Sequence, residues 1–183
     1  AVCGGPPKSR LFQVRSWAGD IASGCVENNS SARYSFCMQH IEPDICLDIF
    51  SLWVFGRQFP ESEDYWDGNW LNVKAEVVAP DSCVRVSGAI IHLGELAGFA
   101  KELEKFDQTL AGTACLSCIE PNLKIVIEGK SLGHLKATID ITPEHLTQRH
   151  RFISEFDQTF LKPLLIQLRN VLSRYPLKAV PAN

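Results

Sequence analysis

The sequence lacks any apolar run of about 18 residues, the length at which a membrane-spanning helix becomes a candidate. It also lacks the basic-then-apolar pattern of a secretory signal near its first residue. Its 18 Lys and Arg side chains are outnumbered by 21 Asp and Glu, so the basic excess of a general nucleic-acid binder is missing. Hydrophobic residues make up 45% of the 183 positions, enough to form a globular core. We therefore expect a cytoplasmic protein that binds neither membrane nor nucleic acid.

Periodic hydrophobic patterning is absent from residues 1–37. This stretch is rich in turn-forming residues, and it holds no strand or helix period for longer than about five residues. We expect it to be a poorly patterned extension outside the fold, with an additional interaction segment as the alternative. Residues 38–183 are expected to form a single domain. Because residues 1–37 contain four basic and two acidic side chains, that domain carries a net charge of −5.

Recognisable catalytic motifs are missing as well. The five histidines form no ligand pair, and no nucleophile-elbow serine motif occurs. Gly129-Lys130-Ser131 lacks both the earlier glycine and the following helix of a phosphate-binding loop. His92 lies at the end of a predicted strand, where we expect a hydrogen-bonded role. These observations predict that the protein is not an enzyme and holds no cofactor.

The seven cysteines are an odd number, and we expect them to be reduced thiols. Cys115 and Cys118 have a spacing that occurs in metal sites, but no second pair accompanies them. On a strand they would point to opposite faces, because their separation is odd. We therefore predict buried structural thiols and no metal, with zinc binding and redox chemistry as the alternatives.

Alternating and helical hydrophobic periods cover most of the chain after residue 45. The segments with a strand pattern are 46–55, 70–78, 83–91, 114–120, 123–128, 134–141 and 149–156. Amphipathic helices are predicted from Leu96 to near Gly112, and from 157–159 to Tyr175. Short turns and face alternation favour an α+β domain with one antiparallel sheet of about six to seven strands and two helices on one face. The predicted order is βββ-α-ββββ-α.

One segment, residues 61–72, departs from these periods. It crowds carboxylates and large aromatic rings together, and Trp70 falls on the polar face of its strand. Such rings provide contact area at low conformational cost, and carboxylates provide charge complementarity. We predict a partner-binding surface formed by Glu61, Glu63, Asp64, Tyr65, Trp66, Asp67 and Trp70. The alternatives are a solvated loop with a tight turn at 67–69, and tryptophans that only cover the edge of the core.

The stretch from Phe59 to Val73 resembles a signature of the WapI family of bacterial immunity proteins, carried chiefly by Asp67-Gly68-Asn69-Trp70-Leu71. The similarity continues at residues 120–124 and 156–164, and it covers about residues 44–178. Residues 1–37 have no counterpart in the family. The resemblance implies a protein that neutralises wall-associated toxins with polymorphic C-terminal domains, which are nucleases or related activities. It does not specify which residues contact the toxin.

These observations predict an immunity protein that binds the C-terminal domain of a cognate toxin, for which we expect nuclease activity. A nuclease that grips phosphates tends to be basic, so it would attract an acidic inhibitor. We expect a monomer or a weak dimer. The alternatives are a small enzyme with an unrecognised carboxylate site and a non-catalytic interaction module.

Overall fold

The computed structural model describes residues 42–179, so the predictions for residues 1–37 lie outside the described residues. Four strands and a helix are followed by four more strands and a second helix. The first half consists of β1 (Ile45–Leu47), β2 (Phe50–Arg57), β3 (Trp70–Ala79), β4 (Ser82–His92) and α1 (Leu93–Thr109). The second half consists of β5 (Thr113–Ser117), β6 (Leu123–Gly129), β7 (His134–Ile141), β8 (Arg151–Asp157) and α2 (Leu161–Arg174). Neither helix is long and apolar enough to cross a membrane in this part of the chain.

The strands form two four-stranded antiparallel sheets, so the prediction of a single sheet is wrong. The strand orders are β1-β2-β3-β4 and β5-β6-β7-β8, and each sheet follows the order of the chain. Helix α1 separates the two sheets in sequence. Hydrophobic alternation indicates which face of a strand is buried, but it does not indicate which strands pair. The prediction of an antiparallel α+β domain with two helices is confirmed.

The predicted strand at 46–55 is two strands joined by a tight turn, which is why the first half has four strands. Leu47 pairs with Phe50, and between them Asp48 adopts a left-handed backbone with φ of 48°. Aspartate is one of the few residues besides glycine that visits this region readily. No glycine or proline marks the turn, so the apolar run reads as continuous in the sequence.

The inner faces of both sheets and the apolar faces of both helices form one core. On β3, Leu71, Val73, Ala75 and Val77 are each no more than 1% exposed, as their alternation predicts. The centre of this core leaves a void of only about 10 Å³. A void of that size holds at most about one water molecule. The centre of this core therefore has no room for a ligand larger than water.

Each helix covers the outer edge of the first strand of the other half. On α1, the Glu102 carboxylate accepts a hydrogen bond from the backbone N–H of Cys115 in β5 at 2.9 Å. On α2, the Gln167 side chain accepts one from the N–H of Cys46 in β1 at 2.9 Å. At the opposite end of each sheet, β4 and β8 have a strand neighbour on one side only among residues 42–179. The outer edges of β1 and β5 are thus covered by helices, whereas those of β4 and β8 have no covering element among the described residues.

Candidate functional site

The predicted partner-binding segment forms a long loop, residues 58–69, between β2 and β3. Strand pairing continues to its base, where the N–H of Gln58 donates to the carbonyl of Trp70 at 2.9 Å. At its tip the Asp64 carboxylate accepts from the N–H groups of Trp66 at 2.7 Å and Asp67 at 3.0 Å. A short 3-10 turn at Asp67–Asn69 then leads into β3. An aspartate that bonds to the backbone two residues ahead stabilises a defined turn.

The tail that follows α2, residues 176–178, holds this loop by hydrogen bonds. Asn69 is 0% exposed, and its amide nitrogen donates to the carbonyls of Tyr65 at 2.7 Å and Lys178 at 3.1 Å. Its side-chain oxygen accepts from the N–H of Lys178 at 2.9 Å and from the Arg57 guanidinium at 3.1 Å. Arg57 also donates to the carbonyls of Gly68 and Pro176. We call Arg57, Asn69 and Lys178 the loop clamp, since they join β2, the loop and the tail.

His92, at the end of β4, supports the loop from below. It is 2% exposed, its Nδ1 accepts the N–H of Gly94 at 3.1 Å, and its Nε2 lies 3.2 Å from the carbonyl of Tyr65. With Nδ1 as acceptor, Nε2 carries the proton and donates to that carbonyl. The backbone N–H of His92 donates to Glu95 at 2.9 Å, which completes a capping box at the start of α1. The expected hydrogen-bonded role of His92 is confirmed.

Three aromatic rings of the predicted site pack around His92. The ring centroids of Tyr65, Trp66 and Trp70 lie 5.2, 5.5 and 5.4 Å from the imidazole. Tyr65 and Trp66 also contact each other edge to face at 5.3 Å. Such contacts add stabilisation beyond simple burial. One aromatic cluster therefore covers the junction of β4 and α1, yet Trp66 remains 57% exposed.

The seven predicted residues fall into two groups. Tyr65 and Trp70 are half-buried in the aromatic cluster, and Asp64 is exposed but occupied by the turn. The remaining four side chains are exposed at the loop surface: Glu61, Glu63, Trp66 and Asp67. Glu63 has its carboxylate 4.0 Å from the Lys178 ammonium group and is 93% exposed. The structure thus brings one large ring and three accessible carboxylates to the same loop.

The nearby basic side chains do not neutralise this surface fully. Both Arg57 and Lys178 direct their N–H groups to backbone carbonyls of the loop and the tail. The ammonium group of Lys178 donates to Pro60 at 2.9 Å and also to Ser62. The Lys178 side chain is only 20% exposed, whereas the carboxylate of Glu63, 4.0 Å from its ammonium group, belongs to a side chain that is 93% exposed. The accessible face of the loop is therefore predominantly negative.

Sequence reasoning missed a second group of aromatics on the outer face of the first sheet. Phe55 is 62% exposed at a β-bulge in β2, and the Lys74 ammonium group lies 3.5 Å from the centre of the Trp53 ring. Lys74 also contacts Glu76, at 3.6 Å, and a hydrogen bond from Arg85 lowers the pKa of Glu76. Because residues 52–55 of β2 are all apolar, this part of the sequence does not distinguish the inner face of the strand from the outer. The register with β3 would have identified these positions.

Cys115 and Cys118, both half-buried, have the properties of structural thiols. Burial, together with Glu95, raises the pKa of Cys118 well above its usual range, and burial also raises the pKa of Cys115. Raised values keep both thiols protonated and poorly reactive. Cys46, Cys83, Cys115 and Cys118 are all free, and residues 42–179 contain no cluster of three or more His, Cys, Asp or Glu that could hold a metal ion.

A carboxylate-based active site would show two carboxylates with raised pKa values in a pocket. An open cleft of about 450 Å³ is lined by Asp140, Thr142, Arg149, His150 and Arg151. Among the described residues of its lining there is one carboxylate, Asp140, whose pKa is lowered by the hydrogen bond from Arg151. An ion-paired carboxylate of this kind is a weak proton acceptor at neutral pH. The geometry of this cleft does not favour acid–base catalysis.

Comparison with known proteins identifies the family. The model of the immunity protein WapI-like family matches residues 40–176. The chain belongs to this family. The resemblance inferred from the 59–73 stretch is thereby confirmed, and the match includes the whole loop at 58–69. No curated protein and no solved structure matches the chain.

Membership in the WapI-like family supports an immunity protein role and implies a protein toxin as the partner. The family match ends at residue 176, whereas the loop clamp uses the backbone and side chain of Lys178. Part of the clamp that shapes the loop therefore comes from residues outside the matched segment.

Proposed function

We propose that this chain is a cytoplasmic immunity protein that binds the C-terminal domain of a cognate toxin and blocks its activity. The observation that carries the proposal is the WapI-like family match over residues 40–176, which includes the loop. We further propose that the toxin domain is a nuclease. Residues 38–183 carry a net charge of −5, and a protein that grips phosphates presents basic groups to which such an inhibitor is attracted.

We propose that the loop at 58–69 is the contact surface. Trp66 is the anchor, because it is 57% exposed while its ring is held against Tyr65 and His92. Tryptophan is among the residues that contribute most to protein interfaces. Glu61, Glu63 and Asp67 are exposed on the same loop and would oppose the phosphate-binding groups of a nuclease. Asp64, Tyr65 and Trp70 act by positioning the loop.

The clamp supports this proposal through preorganisation. A loop that must become ordered on binding loses affinity, whereas a loop already fixed in the free protein does not. Asn69, Arg57 and Lys178 hold loop 58–69 with several hydrogen bonds between groups that are distant in sequence. The second half of the domain has only a short turn, at 130–133, where the first half has this loop. Both halves consist of four strands and a helix, and the second half joins its middle strands without a long loop. The order of elements therefore does not require the loop at 58–69.

The test is co-expression with the toxin encoded beside this gene, followed by binding measurements on the purified pair. We expect protection of the host cell and co-purification of the two proteins. Trp66→Ala should weaken binding by about 30-fold or more, as expected for a hot-spot residue. A Glu61→Lys/Asp67→Lys variant should weaken it most at low salt, because charge attraction mainly accelerates association.

Matched controls separate the loop from general surface effects. Leu146→Ala removes an apolar side chain that is 82% exposed in another loop, and Glu120→Lys reverses an exposed charge between β5 and β6. Both should leave binding unchanged. Unchanged toxicity without co-purification would refute the proposed function for that pair. Full protection with unaltered binding by the loop variants would refute the proposed surface alone.

A further inference from the structure

The outward side chains along β8 have a self-complementary order of charges. From two residues before the strand to its end, alternate positions are exposed: Arg149, Arg151, Ile153, Glu155 and Asp157. Two basic residues precede an isoleucine that is 60% exposed, and two acidic residues follow it. Positions at equal distances before and after Ile153 therefore carry opposite charges. Two such strands placed antiparallel would therefore meet basic against acidic at every charged position.

The backbone of the same residues is available for pairing. The N–H of Ile141 in β7 donates to the carbonyl of His150 at 3.1 Å, and the register continues from Asp140–Arg151 to His134–Asp157. In an antiparallel pair, alternate residues direct their N–H and C=O groups to the same neighbour. The backbone N–H and C=O groups that bond to β7 are therefore those of Phe152, Ser154 and Phe156. The backbone groups of the outward-facing residues point to the other side, where no strand of the described chain lies.

We propose that β8 pairs antiparallel with β8 of a second copy of this chain, about a twofold axis at Ile153. Arg151 then lies opposite Glu155 of the second copy, Arg149 opposite its Asp157, and Ile153 opposite its own equivalent. Each of the two charge pairs occurs twice and the Ile153 contact lies on the axis, as an isologous interface requires. The pairing forms about six backbone hydrogen bonds and joins two four-stranded sheets into one of eight strands.

Charge alternation across the sheet supports this register. In one row of the second sheet, Lys124, Asp140 and Arg151 are neighbours on three successive strands. In another row, Glu155 neighbours Lys136, which neighbours Glu128. The Arg151–Asp140 and Lys136–Glu128 ion pairs are 2.6 and 3.2 Å long. Joining Arg151 to Glu155 of the second copy connects the two rows into an unbroken alternation of six charges.

Other arrangements fit less well. Sliding the second strand by two residues places Ile153 opposite Glu155 and Arg149 opposite Thr159. Only the Arg151–Asp157 pair then keeps opposite charges. The other unsealed edge, β4, has exposed Cys83, Arg85 and Ser87 and no such order. Charged side chains also protect sheet edges against unwanted pairing. An edge strand protected by charge would repel a second copy of itself. On β8 the basic residues of one copy face the acidic residues of the other, so the charges favour specific pairing with a second copy.

The interface is small, so the dimer should be weak. A single pair of edge strands buries less surface than a standard stable complex. The association is independent of the proposed toxin binding, because it uses the edge of the second sheet and needs no other protein. It is therefore measurable with the full chain alone.

The test is sedimentation velocity of the full chain over a series of concentrations, with two charge-reversal variants. We expect the unaltered protein to dimerise at micromolar to millimolar concentration. Glu155→Arg places Arg against Arg, and Arg151→Glu places Glu against Glu, so each variant should dissociate about tenfold or more readily. An equimolar mixture of the two should recover the dimer, because both cross-strand pairs are again of opposite charge.

Two further variants keep the test decisive if Arg151→Glu is unstable. Ile153→Glu puts two carboxylates at the twofold axis and should abolish the dimer. Val78→Glu, at a position 53% exposed on the first sheet, is its matched control and should not affect it. A monomer at every concentration, a dimer insensitive to Glu155→Arg and Ile153→Glu, or folded variants that stay monomeric when mixed would each overturn the proposal.

Discussion

Substitution of Asn69 is the sharpest test of how the loop is held. The side chain makes four hydrogen bonds, to Tyr65, to Arg57 and to both backbone groups of Lys178. A typical hydrogen bond contributes about 0.5–1.5 kcal/mol net, so four give an upper range of about 2–6 kcal/mol. The tail can detach and bind water instead, which limits the loss. We therefore expect Asn69→Ala to lower the free energy of unfolding by about 2–3 kcal/mol.

The measurement is urea unfolding combined with hydrogen exchange of the amides in residues 58–70. Asn69→Ala should accelerate exchange in this loop more than in β7, because the clamp is local. Asn170→Ala is the matched control, since Asn170 is exposed on α2. It should be neutral or slightly stabilising, because alanine is the better helix former. An Asn69→Ala protein within about 0.5 kcal/mol of the unaltered chain, with unchanged loop exchange, would refute the clamp.

Three further predictions concern charge, thiols and backbone strain. A hydrogen bond from Arg85 lowers the pKa of folded Glu76 below its usual 4.5, so this carboxylate adds stability that is complete above pH 4.5 and is lost as the pH falls through the lowered pKa. Glu76→Gln should therefore make the free energy of unfolding fall less steeply at acidic pH. An unchanged pH dependence would contradict this. Alkylation followed by mass spectrometry should modify exposed Cys46 well before Cys118, whose thiol is protonated by burial; equal rates in native protein would contradict it. Leu132 is 95% exposed with φ of 60°, so Leu132→Gly should raise the free energy of unfolding by about 1 kcal/mol, and a lower melting temperature would exclude strain there.

Periodicity was sufficient to locate most elements of the fold. The alternation at 70–78 and 134–141 corresponds to β3 and β7, and the apolar stripe from Leu96 to Phe106 lies on α1. Strand pairing was not predictable in the same way, because all eight strands present similar apolar faces. Glu102 and Gln167 accept hydrogen bonds from the outer edges of β5 and β1, so helix side chains stand where a further strand could pair. Polar residues on a helix face give no sequence signal for such a role.

The residues of the candidate site were predictable from the sequence, but the hydrogen bonds that hold the loop in place were not. The crowding of carboxylates and rings at 61–72 identified the loop, since these residues interrupt the surrounding periods. The anchoring residues were not identifiable, because Arg57 and Pro176 are 119 positions apart and Asn69 and Lys178 are 109 apart. Long-range polar contacts of this type follow from tertiary structure alone. Asn69 itself had the pattern of a turn residue, and its complete burial identifies it as the centre of the clamp.

The two proposed surfaces belong to different sheets, and their effects should be separable. The loop joins β2 to β3 in the first sheet, whereas the self-complementary edge is β8 in the second. Toxin binding through Trp66 does not use the backbone groups of β8, so Glu155→Arg should retain full affinity for the toxin domain. Conversely, Trp66→Ala should leave self-association unchanged. If both variants lost both properties, a single shared interface would replace the two proposed here.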